Sequence, residues 1–399
     1  MKRRALCYVI FIASFSSTTW AQIVNIPDTN FKLALIGNPA INTNGDAEIQ
    51  VAEAVAFTGE IQVDDLGISD LEGIQAFTAI TYLNCSENGL TFLDISQNVA
   101  LTDLLCSGND LTNLNVSNNV LLTQLDIGAN LQITNLDVSS NTALKKLYCQ
   151  NLNLNHLDVS SNTALEILAC SDNQLSSLEL SNNTALHTLF CHYNQIQDLD
   201  VSNNLALSFL QCSFNQLPSI DFTNNYALTK LYCNNNQLGS LDLSNCPNLT
   251  VLECFSNQLS TLNIQNGNNT SLVDFQTYFN PLLSCIQVDD VVYANQLWNN
   301  PGAIDTWANF SENCGISGIN TSYQNHTFDV FPNPTKDLLH IKGLSVNLDG
   351  EMSIYNPLEQ LMFTINSSKE INVASLANGW YILKLTKGKK TDTVKFIKE

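Results

Sequence analysis

From Cys85 onward the apolar positions of this 399-residue chain return on a fixed beat. Counted from Cys170, leucine stands at Leu175, Leu178, Leu180, Leu186 and Leu189, and Cys191 restarts the count 21 residues later. Cys85, Cys106, Cys149, Cys170, Cys191, Cys212, Cys233 and Cys254 share the first position. Ile127 and Thr277 take it once each, with one residue inserted after the former and two before the latter. Asparagine recurs three and thirteen residues after that position, as at Asn173 and Asn183. A constant period with constant apolar positions predicts a repeat solenoid, in which each coil is completed by its neighbours. The Leu-x-Cys segment alternates as a strand does, so each coil should add one rung to a parallel sheet, with room for a second strand on the opposite side. The asparagines fall at the corners, where a side-chain amide can bond the backbone of its own turn or of the next coil.

The spacing also bears on the cysteines. Equivalent residues of neighbouring coils lie about 4.8 Å apart, whereas a disulfide needs its β-carbons about 3.8 Å apart and suitably angled. Cysteine is small and apolar enough to replace an inward leucine, so the column reads as buried free thiols, against the tendency of exported proteins to avoid them. Zinc knuckles place their ligands two to four residues apart. Cys246 and Cys254 are eight apart, and Cys246 occupies the asparagine position of Asn204 and Asn225.

Leu165-x-x-Leu168-x-Cys170-x-x-Asn173-x-Leu175 resembles the leucine-rich repeat, over residues 61–284. The half-unit Leu178-Glu179-Leu180-Ser181-x-Asn183 nearly repeats the motif, which implies a slimmer coil than in members with a helical back. The fold class that follows is a leucine-rich-repeat solenoid of 21-residue coils with a parallel β-sheet. The repeat serves inhibitors, receptors, adhesins and structural proteins alike, so the resemblance fixes fold more than function.

A stack of coils needs covers at both ends. Residues 22–60 are the expected opening cap, with short helices over Phe31–Ile36 and Ala52–Phe57. Between them Asn42, Asn44, Asp46, Glu48 and Glu53 fall at positions one, three, five, seven and twelve of what resembles a degenerate EF-hand calcium loop, departing from it in the asparagine at position one and in Ala47 where glycine makes the turn. An Asx-rich cap loop without metal fits the same residues. Ile68-x-Asp70-Leu71-x-Gly73-Ile74 resembles the opening repeats of bacterial surface proteins of this class. At the far end Phe279-Asn280-Pro281 breaks the beat, and residues 285–314 form the closing cap. Cys285 and Cys314 have left the ladder register and are expected to form a disulfide, the alternative being two buried thiols.

Residues 315–325 are small and polar and read as a linker. Beyond it, short alternating segments separated by turn residues predict a small antiparallel β-sandwich over 326–399; a carbohydrate-binding sandwich would show the same periodicity. The blocks Val330-Phe-Pro-Asn-Pro-Thr-Lys-Asp-Leu-Leu-His-Ile341, Leu376-x-x-Gly379-x-Tyr381-x-Leu383 and Lys395-Phe-Ile-Lys398 resemble the C-terminal sorting domain of type IX secretion in Bacteroidetes. Pro332, Asn333, Pro334, Gly379, Lys395 and Lys398 carry that resemblance. It implies recognition by the type IX machinery and its sortase, passage across the outer membrane, and release or attachment to surface lipopolysaccharide. The start of the chain agrees with export: Lys2, Arg3 and Arg4, an apolar stretch, and Thr19-Trp20-Ala21 read as a signal peptide over residues 1–21.

Charge narrows the partners. Between Gln22 and Thr335 four lysines face 30 acidic residues, a net charge of −26, which disfavours nucleic acid and anionic membranes. No later stretch is long and apolar enough to span a membrane. Catalysis needs groups singular in the repeat, whereas Asp158, Glu179, Asp200, Asp221 and Asp242 recur in register, so no enzyme is expected and no cofactor is required, calcium at the cap loop being the one candidate ion. The candidate ligand-binding residues are aromatic. Tyr148, Phe190 and Tyr232 directly precede a cysteine and should point outward; His192, Tyr193, Phe209, Phe214 and Phe255 stand nearby. On a surface of serine, asparagine and aspartate such rings can stack on a glycan or anchor a protein. A surface-displayed recognition or adhesion protein is the leading expectation. A structural cell-surface or matrix component comes second, and a polysaccharide-processing enzyme is a distant third.

Overall fold

A computed structural model describes residues 22–298, 302–314, 329–331, 335–342, 351–356, 360–366, 369–387 and 390–398. The expected signal segment, the linker and Pro332, Asn333 and Pro334 lie outside them. The chain divides into two compact units between Gly315 and Ile316.

In the first unit each coil lays down one three-residue strand, from Glu60–Gln62 to Asp274–Gln276, and among the described residues eleven such strands form one parallel sheet. Its register is unbroken through the middle, where Lys146, Ile167, Thr188, Phe209 and Lys230 pair in sequence. The central leucine of each strand, such as Leu147, Leu168 and Leu189, is buried, and so is the cysteine that follows it. A second parallel sheet appears only late, from Ser240–Asp242, Thr261–Asn263, Cys285–Gln287 and Asn309–Ser311. The possible second strand is therefore confined to the last coils and the closing cap.

Two asparagine ladders tie the coils together. Asn194 donates from its amide to the carbonyls of Cys170 and Cys191 and accepts from the N–H of Leu175. Asn173, Asn215, Asn236 and Asn257 repeat this in their own coils. On the other side Asn183 donates to the carbonyls of Val159 and Asn162, and Cys246 interrupts that second ladder, its thiol 3.7 Å from the carbonyl of Asn225.

Nine free cysteines are buried among the described residues. Burial pushes the thiols of Cys85, Cys170, Cys212 and Cys254 up to about 12. Since the thiolate is the nucleophile, such groups are inert. We expect these nine to resist a disulfide reagent at pH 8 in the folded protein and to react promptly in urea. Fast labelling of the native protein would contradict a packed column.

Helices Thr29–Ile36 and Val51–Ala56 make the opening cap. Asp28 caps the first by accepting from Asn30 and Phe31, and its second oxygen accepts from the N–H and hydroxyl of Ser69 in the first repeat. Phe31, Leu35 and Ile49 bury against the coil stack, and Phe57 meets Phe77 edge to face at 6.4 Å. The closing cap holds helix Val291–Leu297 and a Cys285–Cys314 disulfide, with Trp298 lying 4.9 Å from the ring of Phe275.

The second unit is antiparallel. Asp329–Phe331, Leu338–Lys342 and Glu370–Asn372 form one sheet. Leu361–Asn366, Glu351–Tyr355, Gly379–Lys387 and Lys390–Lys398 form the other. Leu339 and Ile371 from the first sheet share a core with Met352, Leu383 and Phe396 from the second.

Candidate functional site: the sheet face and its aromatic ridge

Alternation in the three-residue strands points the first and third side chains away from the core. In the middle coils this outward field gathers rings. Phe190 lies 4.8 Å from Phe209, centroid to centroid, and Phe209 lies 5.6 Å from Tyr232, both pairs tilted by about 40° (43° and 41°). All three are half-buried. Tyr148 belongs to the same outward column but stands two strands from Phe190, with Ala169 between them. Burial raises the phenols of Tyr148 and Tyr232, so both hydroxyls are neutral donors at physiological pH.

A second row runs along the turn beside the sheet. Two residues after the first position of each repeat, from Cys85 to Thr277, the backbone turns left-handed, with φ of 52–56° at the non-glycine residues from Glu87 to Phe279 and 64° at Gly108. Glycine, asparagine and aspartate accept this readily, and Gly108, Asn151, Asp172 and Asn235 occupy it in four coils. A bulky side chain there costs about 1–2 kcal/mol. The chain nevertheless places Tyr193, Phe214 and Phe279 in it. Tyr193 and Phe214 stack at 4.3 Å and 17°, yet remain 49% and 40% exposed. His192 packs edge-on to Tyr193 at 5.6 Å, with burial lowering its basicity and Asp172 3.9 Å away partly offsetting this. Further along, Phe255 stacks on Tyr278 at 4.7 Å, and Phe279 meets Tyr278 edge-on.

The structure thus joins Phe190, Phe209 and Tyr232 in one cluster and His192, Tyr193 and Phe214 in another, and leaves Tyr148 outside ring contact. Phe255 joins Tyr278 and Phe279, which sequence reasoning missed. Counting the register from Thr277 would have placed Tyr278 at the position of Phe255 and Phe279 in the turn row.

The acidic column has a structural task. Asp158, Glu179, Asp200 and Asp221 each accept the backbone N–H two residues on, at 2.8–2.9 Å. The Ser or Thr hydroxyl there, then that N–H, hold the four carboxyls below the usual range. A folded value below the unfolded one means that the contribution is complete above the ordinary carboxylate value, 3.8 for aspartate, and lost as pH falls through the lower folded value. Asp126 and Glu253, raised by burial, work the other way but are fewer. The urea midpoint should therefore hold steady from about pH 7 to 5 and fall below about pH 4. A midpoint that rises on acidification contradicts the assignment.

The cap loop is wired to itself. The amide of Asn42 donates to the carbonyls of Ile36 and Asp46, and that of Asn44 to Asp46 and Gln50. Asp46 also accepts from the N–H of Glu48, and Glu48 pairs with Lys32 at 2.6 Å. Glu53 accepts from the N–H and hydroxyl of Thr43 and from the N–H of Gln50. Among the described residues no group of three or more His, Cys, Asp and Glu side chains is arranged to hold a metal.

In the second unit Gly379 opens its strand at a φ of 153°, and Lys398 is buried and bridges Thr335. Lys395 lies on the same closing strand.

The family profile described as "Secretion system C-terminal sorting domain" matches residues 329–399. Among solved structures, the functional domain of InlJ from Listeria monocytogenes, described as including a cysteine ladder, is similar at 34% identity and a TM-score of 0.57. The match covers 69% of this chain and 65% of that one, so this chain spans just under two thirds of that neighbour. The internalin InlF of the same organism is 20% identical at a TM-score of 0.48, covering 75% of this chain and 99% of its own. A leucine-rich repeat protein of Leptospira interrogans is 23% identical at 0.47, covering 50% and 54%. No curated protein matches the chain. No enzyme family is indicated. The sorting domain implies contact with the type IX secretion system and export to the cell surface or beyond, and no described helix is long and apolar enough to cross a membrane. The cysteine-laddered coils and the matched tail together make this chain a leucine-rich repeat protein with a type IX C-terminal sorting domain.

Proposed function

We propose that the chain is a non-enzymatic recognition or adhesion protein that binds a protein or glycan through the sheet face of its solenoid. The observation that carries this reading is the cluster of Phe190, Phe209 and Tyr232 on a regular parallel face, with the strained and exposed Tyr193–Phe214 stack beside it. Backbone strain held at an exposed aromatic pair is a cost to folding, and ligand contact supplies a reason to keep it. In this reading residues 22–60 and 285–314 cap the 61–284 solenoid. Residues 1–21 direct export and are removed, 315–325 link, and 326–399 address the protein through Pro332, Asn333, Pro334, Gly379, Lys395 and Lys398 to the type IX machinery and its sortase, for release or lipopolysaccharide attachment. No cofactor is required. Calcium at Asn42–Glu53 would have to displace Lys32 from Glu48.

The test is a screen of glycans, envelope fractions and extracellular-matrix proteins with the full chain, in calcium and in chelator, beside a Phe190→Ala/Phe209→Ala/Tyr232→Ala variant. Saturable binding lost in the variant supports the reading. Saturable binding that the variant retains moves the site off this face. A folded protein silent in every condition points instead to a structural component of the cell surface.

A further inference from the structure

The solenoid holds only three basic residues, Lys145, Lys146 and Lys230, and no arginine. All three fall at the sheet. Lys145, just before its strand, is spent on Glu166 at 3.1 Å. Lys146 and Lys230 occupy the same outward register position, four strands apart, each opening the identical tripeptide Lys-Leu-Tyr: Lys146–Tyr148 and Lys230–Tyr232. Among the described residues neither has a carboxylate within ion-pair distance.

The field between them is equally distinct. Across the five strands from Lys146–Tyr148 to Lys230–Tyr232 no outward position carries an acid. Carboxylates resume on the flanking strands, at Asp126 before and Glu253 after. The interior is mainly apolar, with Ile167, Ala169, Phe190 and Phe209 on consecutive strands and Thr188 and Gln211 as its uncharged polar positions. A body of net charge −26 therefore presents one acid-free apolar field with a free ammonium at each end. Four strand spacings separate the two lysines by roughly 19 Å.

We infer that this field is the docking site for a protein segment whose apolar side chains are flanked on both sides by carboxylates. The inference rests on the sheet-face reading above and names the partner's chemistry. Charge complementarity places the carboxylates: an acid on the partner finds its favourable contacts at Lys146 and Lys230 and repulsion from the rest of the acidic solenoid. The middle favours protein over sugar. Hydroxyls laid over Ile167 and Ala169 would lose water without gaining a hydrogen bond, whereas aliphatic and aromatic side chains fill such a field as an interface core with a polar rim. A polyanionic glycan would gain two cations and meet the repulsion of the whole acidic body. The span suits a helix of about 13 residues or an extended segment of about six.

The test pans a displayed library of 20-residue peptides on the full chain. The binders are then measured against Lys146→Glu/Lys230→Glu and against Phe190→Ala/Phe209→Ala, each checked for an unchanged thermal melt. Enriched peptides should carry Asp or Glu on both sides of an apolar run. They should weaken about tenfold or more with the lysine variant, lose their salt dependence there, and fail on the phenylalanine variant. Peptides without acidic flanks that bind the lysine variant as tightly but fail on the phenylalanine variant overturn the inference and leave the sheet face as the binding site. Enriched peptides indifferent to both variants, or none enriched at all, overturn the docking site. Uronic-acid oligosaccharides, run in parallel, overturn the choice of a protein partner if they bind through the two lysines while peptides do not.

Discussion

Replacing Asn194 with alanine should lower the free energy of unfolding by about 2–6 kcal/mol, a large share of what a domain possesses. Its side chain satisfies three buried backbone groups in two coils: the N–H of Leu175 and the carbonyls of Cys170 and Cys191. The N–H of Leu175 would be left without a partner, at about 1–3 kcal/mol, while the carbonyls of Cys170 and Cys191 keep Asn173 and Asn215 as donors and lose one hydrogen bond each, at about 0.5–1.5 kcal/mol. Water admitted to the gap would bring the loss toward the lower figure. Because coils contact only their neighbours, the damage should be local, with hydrogen exchange accelerating in the coils of Cys170 and Cys191 first. Urea unfolding and exchange check this. By contrast Cys191→Ala removes one small apolar group and should cost about 1 kcal/mol. Equal losses from the two variants would contradict the assignment of the ladder as the tie between coils.

Removing the Cys285–Cys314 disulfide, as Cys285→Ser/Cys314→Ser, is the second large effect. Closing a span of 29 residues in the unfolded chain is worth about 3–4 kcal/mol on the chain-entropy account. The bridge ties strand Cys285–Gln287 to the end of the closing cap, over the cluster of Phe275, Trp298 and Phe310. Without it this cap should open below the temperature at which the coils melt. The exposed last coil would then offer its apolar end to other chains. Differential scanning calorimetry should show an early transition absent from the native protein, with aggregation following it. A single unchanged transition would show that packing alone holds the cap.

Much of this was legible because the repeat forces it. An inward position must be apolar in every coil, so Leu168, Cys170 and Leu175 return as Leu189, Cys191 and Ile196, and the solenoid follows from counting. The ladder asparagines were readable for the same reason, as were Cys285 and Cys314, which stand out by leaving the register. The outward surface is less constrained, and there the sequence was less informative. Phe209 and Phe190 occupy different positions of the motif and meet on the diagonal of a register that pairs Phe209 with Thr188 and Phe190 with Gln211. The left-handed turn at Tyr193 and Phe214 was hidden because propensity reserves that conformation for glycine and asparagine, and here packing overrides it. The cap loop shows the opposite hazard. Its carboxylates have metal-like spacing, but whether a carboxylate accepts from the N–H groups of the same loop, as Glu53 does from Thr43 and Gln50, depends on coordinates that spacing does not encode.

The central claim is that the sheet face, and not the acid-lined side, meets the ligand. The most direct measurement is titration calorimetry of the ligand class identified by the screen with three proteins: the native chain, Phe190→Ala/Phe209→Ala/Tyr232→Ala, and Glu179→Gln/Asp200→Asn on the acid column. Truncating a central aromatic cluster typically costs 2 kcal/mol or more, so the account expects the first variant to bind about 30-fold more weakly or worse and the second to bind as the native chain does. Undiminished binding by the aromatic variant, with loss in the acidic one, would contradict it.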